Sequence, residues 1–257
     1  MCGLLLRGGS SLPELALIVW INFSGVYLVY RLNDFIDSQP GFAFSLRSFL
    51  AEKNHTLMSL QFLLLCIPAA ILILPGFSVI ILAGSAFFGL IYSFSFKIGS
   101  RTIRLKNIFL LKNLLIGMVW GSLVLIGYGF FPGPEVFLFF VFCSLQVVIG
   151  SMIRDIPDVE NDLEEGVNSL PGILGITTTI VTMHFLNLAS LVCAFFSQAP
   201  ETTLLLFGTV VLWRAINLYF VQKHNDSTTW TQHFNLFTCV LISLVQLILV
   251  LYGHFFA

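Results

Sequence analysis

The chain has 257 residues, 57% of them hydrophobic and 10% charged, with a formal net charge of −1 and a mean hydropathy of +0.95. A soluble domain carries about 25% charged residues, so an ordinary water-soluble globule is excluded and an integral membrane protein is indicated. No basic run offers a footprint for nucleic acid, and the five cysteines, Cys2, Cys66, Cys143, Cys193 and Cys239, form neither a zinc spacing nor a disulfide framework.

The N-terminus, Met1 to Pro13, makes a poor signal peptide. Eight apolar runs follow, near 14–32, 55–75, 77–96, 107–130, 135–153, 172–195, 202–221 and 235–256. Each approaches the roughly 20 helical residues that cross a hydrocarbon core of about 30 Å. They are continuously apolar rather than alternating, which argues against an outer-membrane barrel. Pro75-Gly76, Pro132-Gly133-Pro134 and Ala199-Pro200 punctuate them. The expected fold is all-α: a polytopic membrane bundle of about eight transmembrane helices. The whole chain, 1–257, is expected to form one domain, built from two pseudo-repeats at about 14–130 and 135–256.

Alternating the loops across the membrane puts 33–54, 97–106, 154–171 and 222–234 on one side. Eleven of the twelve Lys and Arg then lie in or near these loops, Arg7 being the exception. The positive-inside rule makes that side cytoplasmic, or its stromal or matrix equivalent.

The densest polar feature is Arg154-Asp155-Ile156-Pro157-Asp158-Val159-Glu160-Asn161-Asp162-Leu163-Glu164-Glu165, six carboxylates between two apolar runs. Asp155, Asp158 and Asp162 stand at i, i+3 and i+7, one face of a helix if the stretch is helical. Such a face can hold Mg²⁺, a hard ion that takes oxygen ligands and often shares its shell with substrate phosphates. Asn33-Asp34-Phe35-Ile36-Asp37 also closes an apolar run. Sliding the chain by 121 residues lays Asp34 on Asp155 and Asp37 on Asp158, with Gly41 where the third aspartate falls. Glu164 and Glu165 read as solvated loop charges. Asn168 or Ser169 reads as a helix cap, with Pro171 in the first turn.

Between the two motifs lie Tyr92, Lys97, Arg101, Arg104 and Lys106, and Arg47, Lys53 and His55 follow the first motif. These cations fit either the positive-inside belt or a diphosphate site, and the Tyr92 hydroxyl can donate to a phosphate or leaving oxygen. Gly117 and Gly121 form a GxxxG that suits close helix packing. Arg214, inside the seventh run, is expected to snorkel or to pair with a polar neighbour such as Asn217. Of the 27 Phe, some face lipid or other helices and some could line an apolar tunnel and steady a carbocation. Carboxylates for Mg²⁺, cations for a diphosphate and an apolar bundle for a hydrocarbon tail together suit ionisation of an allylic diphosphate.

At the level of motifs the chain resembles the UbiA superfamily of intramembrane prenyltransferases. Arg154-Asp-Ile-Pro-Asp158-Val-Glu-Asn-Asp162, followed by Gly166-Val-Asn-Ser-Leu-Pro and Leu174-Gly175, is similar to the family's second motif. Asn33-Asp34-Phe-Ile-Asp37 resembles the front of its first. Tyr92-Ser93 with Lys97, and Lys112-Asn113-Leu-Leu-Ile-Gly117, resemble the segment between. The resemblance implies a helical bundle around a central cavity open to lipid, and Mg²⁺-dependent transfer of a prenyl group from a prenyl diphosphate to an aromatic or other hydrophobic acceptor. It implies that Asn33, Asp34, Asp37, Asp155, Asp158 and Asp162 bind the metal–diphosphate, with Asp155, Asp158 and Tyr92 closest to the chemistry. Lys97, Arg154, Arg101 and Arg47 are expected to contact diphosphate, Arg154 matching a basic residue usual before the second motif. The chain departs from the family pattern at Gly41, in the segment after the first motif, and in having its first motif after the first rather than the second span, as though an opening helix were missing. Two other functions fit the same scaffold: a terpene cyclase that needs no acceptor, and a non-catalytic protein that binds prenyl lipid or a partner.

Overall fold

Pro13 lacks the N–H that a first helical turn leaves unused, and a helix of 27 residues starts there: α1, Leu12–Ser38. The computed structural model describes residues 12–38, 64, 67–68, 70–98, 101–128, 132–164, 166–197 and 201–223. The expected span 235–256 and most of 55–75 lie outside these residues. Helix α1 does not stop at residue 32. It runs through the first acidic motif, and the Ser38 hydroxyl closes it by donating to the Phe35 carbonyl at 2.7 Å.

After a helical stretch at 70–73 and the break at Pro75, α2 spans Gly76–Ser93. The third run therefore ends three residues early, and the expected loop 97–106 is not irregular. Strands β1 (Ser95–Ile98) and β2 (Arg101–Arg104) pair antiparallel, with Phe96 opposite Ile103 and Lys97 opposite Thr102. The described residues form a helical bundle, as expected, and it carries this small hairpin besides. Its signal is in the sequence, a period-two alternation on both sides of Gly99-Ser100.

A 3₁₀ turn, Leu105–Asn107, leads to α3 (Leu111–Gly121) and α4 (Leu123–Tyr128). Ser122 donates to the Met118 carbonyl and accepts from Ile126, both at 2.9 Å, so the ladder carries across the turn between α3 and α4. Helix α5, Pro134–Asp155, starts with Pro134 after an extended Gly133. It is followed by α6 (Val159–Glu164), α7 (Leu170–Leu174), α8 (Ile176–Phe196) and α9 (Glu201–Lys223). Gly166 (φ +70°) and Gly175 (φ +79°) take left-handed conformations that stop α6 and separate α7 from α8.

Helix α5 is the hub, with α3 on one side and α8 on the other. At Gly117 a Cβ would lie 2.8 Å from the Ser144 carbonyl and also meet Val148, and at Gly121 it would meet Ser144 Oγ. The GxxxG therefore sets the close antiparallel approach of α3 to α5. Far from the acidic motifs, Phe139, Phe142 and Phe207 form a buried aromatic cluster, with centroids 4.6 and 4.5 Å from Phe207. Beneath the second motif, Ile149, Met152, Ile153 and Ile156 pack on Leu170, Met183, Leu218 and Val221.

The outside is apolar too. Ile80, Phe87, Phe185, Phe195, Phe196, Leu205 and Leu212 are exposed, a pattern that suits lipid rather than water. Among the described residues two helices, Pro134–Asp155 and Ile176–Phe196, are long and apolar enough to cross a membrane, and Gly76–Gly89 and Leu111–Ile126 are shorter apolar helices.

Arg214 does not snorkel. It is 4% exposed and donates from Nε to Gln146 Oε1 and from Nη2 to the Gln146 carbonyl, each at 3.3 Å. Gln146 Nε2 in turn donates to Asn187 Oδ1 (2.9 Å) and Ser190 Oγ (2.7 Å). The Asn187 amide reaches the Val211 carbonyl at 3.0 Å. A polar chain thus ties α5, α8 and α9 inside the bundle, where no water competes for these groups.

Candidate active site

The chemistry-bearing groups gather where α5 ends. Pro157 has no N–H to give the Ile153 carbonyl, which accepts from Ile156 instead at 3.4 Å. The backbone turns through Ile156–Asp158 before α6 begins. This corrects the single-face reading of the second motif: Asp155 closes α5, Asp158 sits in the turn, and Asp162 is on α6.

Tertiary packing still brings the three together. The start of α3 lies against the end of α5, and Lys112 Nζ is 2.7 Å from Asp155 Oδ1 and 3.6 Å from Asp162 Oδ2. Asn113 Nδ2 donates to Asp155 Oδ2 at 2.8 Å and to Ser151 Oγ at 3.0 Å. Asp155 is 3% exposed and both its oxygens are engaged. Asp158 is exposed. Partial burial first, then the charge of Asp162, raise its carboxyl above the ordinary carboxylate range, with Asp155 adding to the effect and Lys112 and Arg154 opposing it. Tyr92, half-buried at the end of α2, is within electrostatic reach of Lys112. The acidic loop is fastened to the 3₁₀ turn where Asn168 Nδ2 donates to the Asn107 carbonyl at 3.1 Å. Ser169, not Asn168, occupies the cap position of α7, without a capping side-chain bond.

The first motif reaches the same end of the bundle. Val29 lies 3.0 Å from where a Gly89 Cβ would be, and Phe94 packs on Leu32, Phe35 and Ile36. Helices α1 and α2 therefore run parallel, and both finish near Tyr92. Asn33 is half-buried and Asp34 exposed in the last turns of α1. The side chains of Asp37, Lys97, Arg101, Arg104 and Lys106, and all of Gly41, Arg47, Lys53 and His55, lie outside the described residues. Arg154 and Glu164 are exposed.

Asp158 and Asp162 stand at the start of α6, but Asp155 and Asp34 stand at helix C-termini, where the helix dipole disfavours negative charge. Such carboxylates call for a cation. Lys112 supplies one, and sequence reasoning gave it no role. The available signal was a lysine inside an apolar run, costly unless partnered. Among the described residues no three carboxylate, imidazole or thiol groups close on one point that a metal could occupy. The donor set nevertheless suits a hard divalent ion: Asp162 Oδ2 is buried and accepts no hydrogen bond, and Asp158 stands open beside it.

The profile of the UbiA prenyltransferase family matches residues 1–242. Among curated proteins no sequence matches this chain significantly. Among solved structures, the apo form of a UbiA homolog from Aeropyrum pernix K1 is similar at 17% identity and TM-score 0.71, covering 96% of this chain and 93% of that one. A UbiA homolog from Archaeoglobus fulgidus bound to DMAPP and Mg²⁺ is similar at 12% identity and TM-score 0.67, covering 94% and 90%. A UbiA homolog from Archaeoglobus fulgidus bound to GPP and Mg²⁺ gives 13% identity and TM-score 0.65, covering 94% and 90%. At these identities the likeness is one of fold.

Proposed function

We propose that this chain, which belongs to the UbiA prenyltransferase family, transfers a prenyl group from a prenyl diphosphate to an aromatic or other hydrophobic acceptor within a membrane. The observation that carries this reading is the cluster of Lys112, Asp155, Asp158 and Asp162, with Tyr92 beside it, at one end of an apolar bundle. Charged groups gathered at the mouth of such a bundle are costly to hold there and mark a site for a polar ligand. Relatives of the same fold hold DMAPP or GPP together with Mg²⁺.

In this reading Asp158 and Asp162 would hold Mg²⁺, with Asn33, Asp34 and Asp37 completing the site from α1, whereas Asp155, also expected to bind the metal, has both oxygens taken by Lys112 and Asn113. When bound, the metal neutralises charge that develops on the leaving diphosphate. Lys112, Tyr92 and the cations Lys97, Arg101, Arg154 and Arg47 hold the diphosphate oxygens. Asp155 keeps Lys112 in place. The allylic carbon–oxygen bond breaks with its electron pair leaving on the diphosphate. The acceptor then forms the new bond to that carbon and gives up a proton. The apolar interior holds the prenyl tail and keeps water from the allylic cation. We place about eight helices across the bilayer, with both acidic motifs on the cytoplasmic or equivalent face.

The test uses the purified protein in lipid nanodiscs with Mg²⁺ and prenyl diphosphates of increasing length, with and without a pool of aromatic and lipid acceptors. Diphosphate release that requires an acceptor, and that is abolished by chelator and by Asp158→Asn, is the expected result. Release without acceptor, yielding a cyclic or hydrolysed prenyl product, would replace the transferase with a cyclase. Binding of every donor without turnover would favour a non-catalytic prenyl-lipid protein.

A further inference from the structure

The second acidic motif already holds a cation of the chain's own. The Lys112 ammonium spans two aspartates, touching Asp155 at 2.7 Å and approaching Asp162 at 3.6 Å. The two contacts differ in kind. Asp155 is deeply buried, and its second oxygen is fixed by Asn113, which is itself 1% exposed and bonded to Ser151. Asp162 Oδ2 receives no hydrogen bond, so Lys112 is fastened to one carboxylate and stands only near the other.

We infer that Lys112 is an internal counter-ion that couples metal binding to diphosphate binding. This rests on the reading that Asp158 and Asp162 face a divalent ion. An ion arriving alone at these residues meets a fixed positive charge a few ångströms away and is repelled. The ammonium cannot follow Asp162 outward, because Asp155 holds it. An ion arriving with a diphosphate brings an excess of negative charge. Its phosphate oxygens can then accept from the ammonium, turning repulsion into a charge-assisted hydrogen bond. Coupling of this kind is reciprocal: diphosphate raises the affinity for metal by the factor that metal raises the affinity for diphosphate. A metal held beyond the reach of Lys112 would have an affinity independent of the lysine's charge.

The experiment measures Mn²⁺ binding rather than turnover. Full-length protein in nanodiscs is dialysed against Mn²⁺, with and without inorganic pyrophosphate, and bound ion is counted by electron paramagnetic resonance. Lys112→Gln keeps a donor for Asp155 but removes the charge, and Lys112→Arg keeps the charge. The wild type should bind Mn²⁺ roughly tenfold more tightly when pyrophosphate is present, within the usual range for coupled sites. Lys112→Gln should bind Mn²⁺ alone roughly tenfold more tightly than the wild type, and its gain from pyrophosphate should be smaller than the wild type's. Lys112→Arg should keep the wild-type ratio. A folded Lys112→Gln that binds Mn²⁺ no better than the wild type overturns the inference and leaves the metal site standing. If Lys112→Gln does not fold, a wild-type affinity unchanged by pyrophosphate overturns it equally. Absence of Mn²⁺ binding in every protein and condition overturns the metal site and the inference together.

Discussion

The C-terminal ends of α1 and α5 carry related acidic sequences, yet they are built differently. At the end of α5 the first aspartate, Asp155, is sealed between Lys112, Asn113 and the helix itself. Asp158 and Asp162 extend beyond it on a turn and a short helix. At the end of α1, Asp34 is exposed on a helix that continues unbroken to Ser38. The difference traces to Pro157, which ends α5 and lets the rest of the motif fold back, whereas the first motif has no proline before Pro40. One motif is anchored at its root and open at its tip. The other is a decorated helix end.

If that asymmetry carries into function, the largest effects belong to the tip of the second motif. Asp158→Asn and Asp162→Asn should each lower the rate of prenyl transfer by about 10²-fold or more, the scale seen when one preorganised stabiliser of developing charge is removed. Asp34→Asn should lower it less. Initial rates with product identified by mass give the comparison. Equal losses at the two motifs would erase the functional asymmetry and favour a symmetric site.

Next in size is stability at the root. Asp155→Ala leaves the Lys112 ammonium and the Asn113 amide without their acceptor, and breaking such a buried pair costs about 3 kcal/mol. Asp34→Ala should be nearly neutral because its side chain is exposed. Denaturation midpoints in mild detergent report both. The double variant Asp155→Ala with Lys112→Ala should recover part of the loss, because the stranded charge is gone.

What the sequence revealed, and what it hid, follows the same division between local and distant. The second motif, the breaks at Pro75, at Gly133 and between α8 and α9, and the close approach at Gly117 and Gly121 are local signals, written within a few residues. The hairpin at 95–104 was also locally encoded, but a short alternation beside long apolar runs reads as loop. The partners of Asp155 and Arg214 were not legible at all. Asn113 lies 42 residues from Asp155, and Gln146 lies 68 from Arg214. Only packing of α3, α8 and α9 on α5 brings these pairs together. The split of the motif at Pro157 was legible in principle, because a proline cannot donate within a helix. Spacing of i, i+3 and i+7 suggested one face and masked it.

The root also depends on how closely α3 approaches α5. Gly121→Ala would drive a Cβ into Ser144, and Gly117→Ala would meet Val148 and the Ser144 carbonyl. Overpacking of this kind costs about 1–3 kcal/mol. Gly84→Ala in α2 meets nothing within 4 Å and should be neutral or slightly stabilising, since alanine is the better helix former. If Gly121→Ala separates the helices rather than unfolding them, Lys112 should leave Asp155. The loss of stability would then be accompanied by faster modification of Lys112 by an amine-reactive reagent.

The smallest effect separates stability from function within one residue. Burial and the Asp162 charge push the Asp158 carboxyl up, so the folded protein holds that proton more tightly than the unfolded chain. Its contribution favours the fold below the ordinary carboxylate pKa, about 4, and is lost as pH rises through the raised value. At neutral pH, Asp158→Asn should therefore be slightly more stable than the wild type, by less than about 1 kcal/mol once solvent screening at an exposed group is allowed for. The advantage should vanish on acidification. Adding Mg²⁺ with pyrophosphate should reverse it, because a bound cation favours the ionised carboxylate and the amide cannot respond. A variant that is sturdier when empty, weaker when loaded and slow in turnover would mark Asp158 as a residue kept for its ligand rather than for the fold. A variant less stable at every pH would place Asp158 with Asp155, among the groups that hold the bundle together.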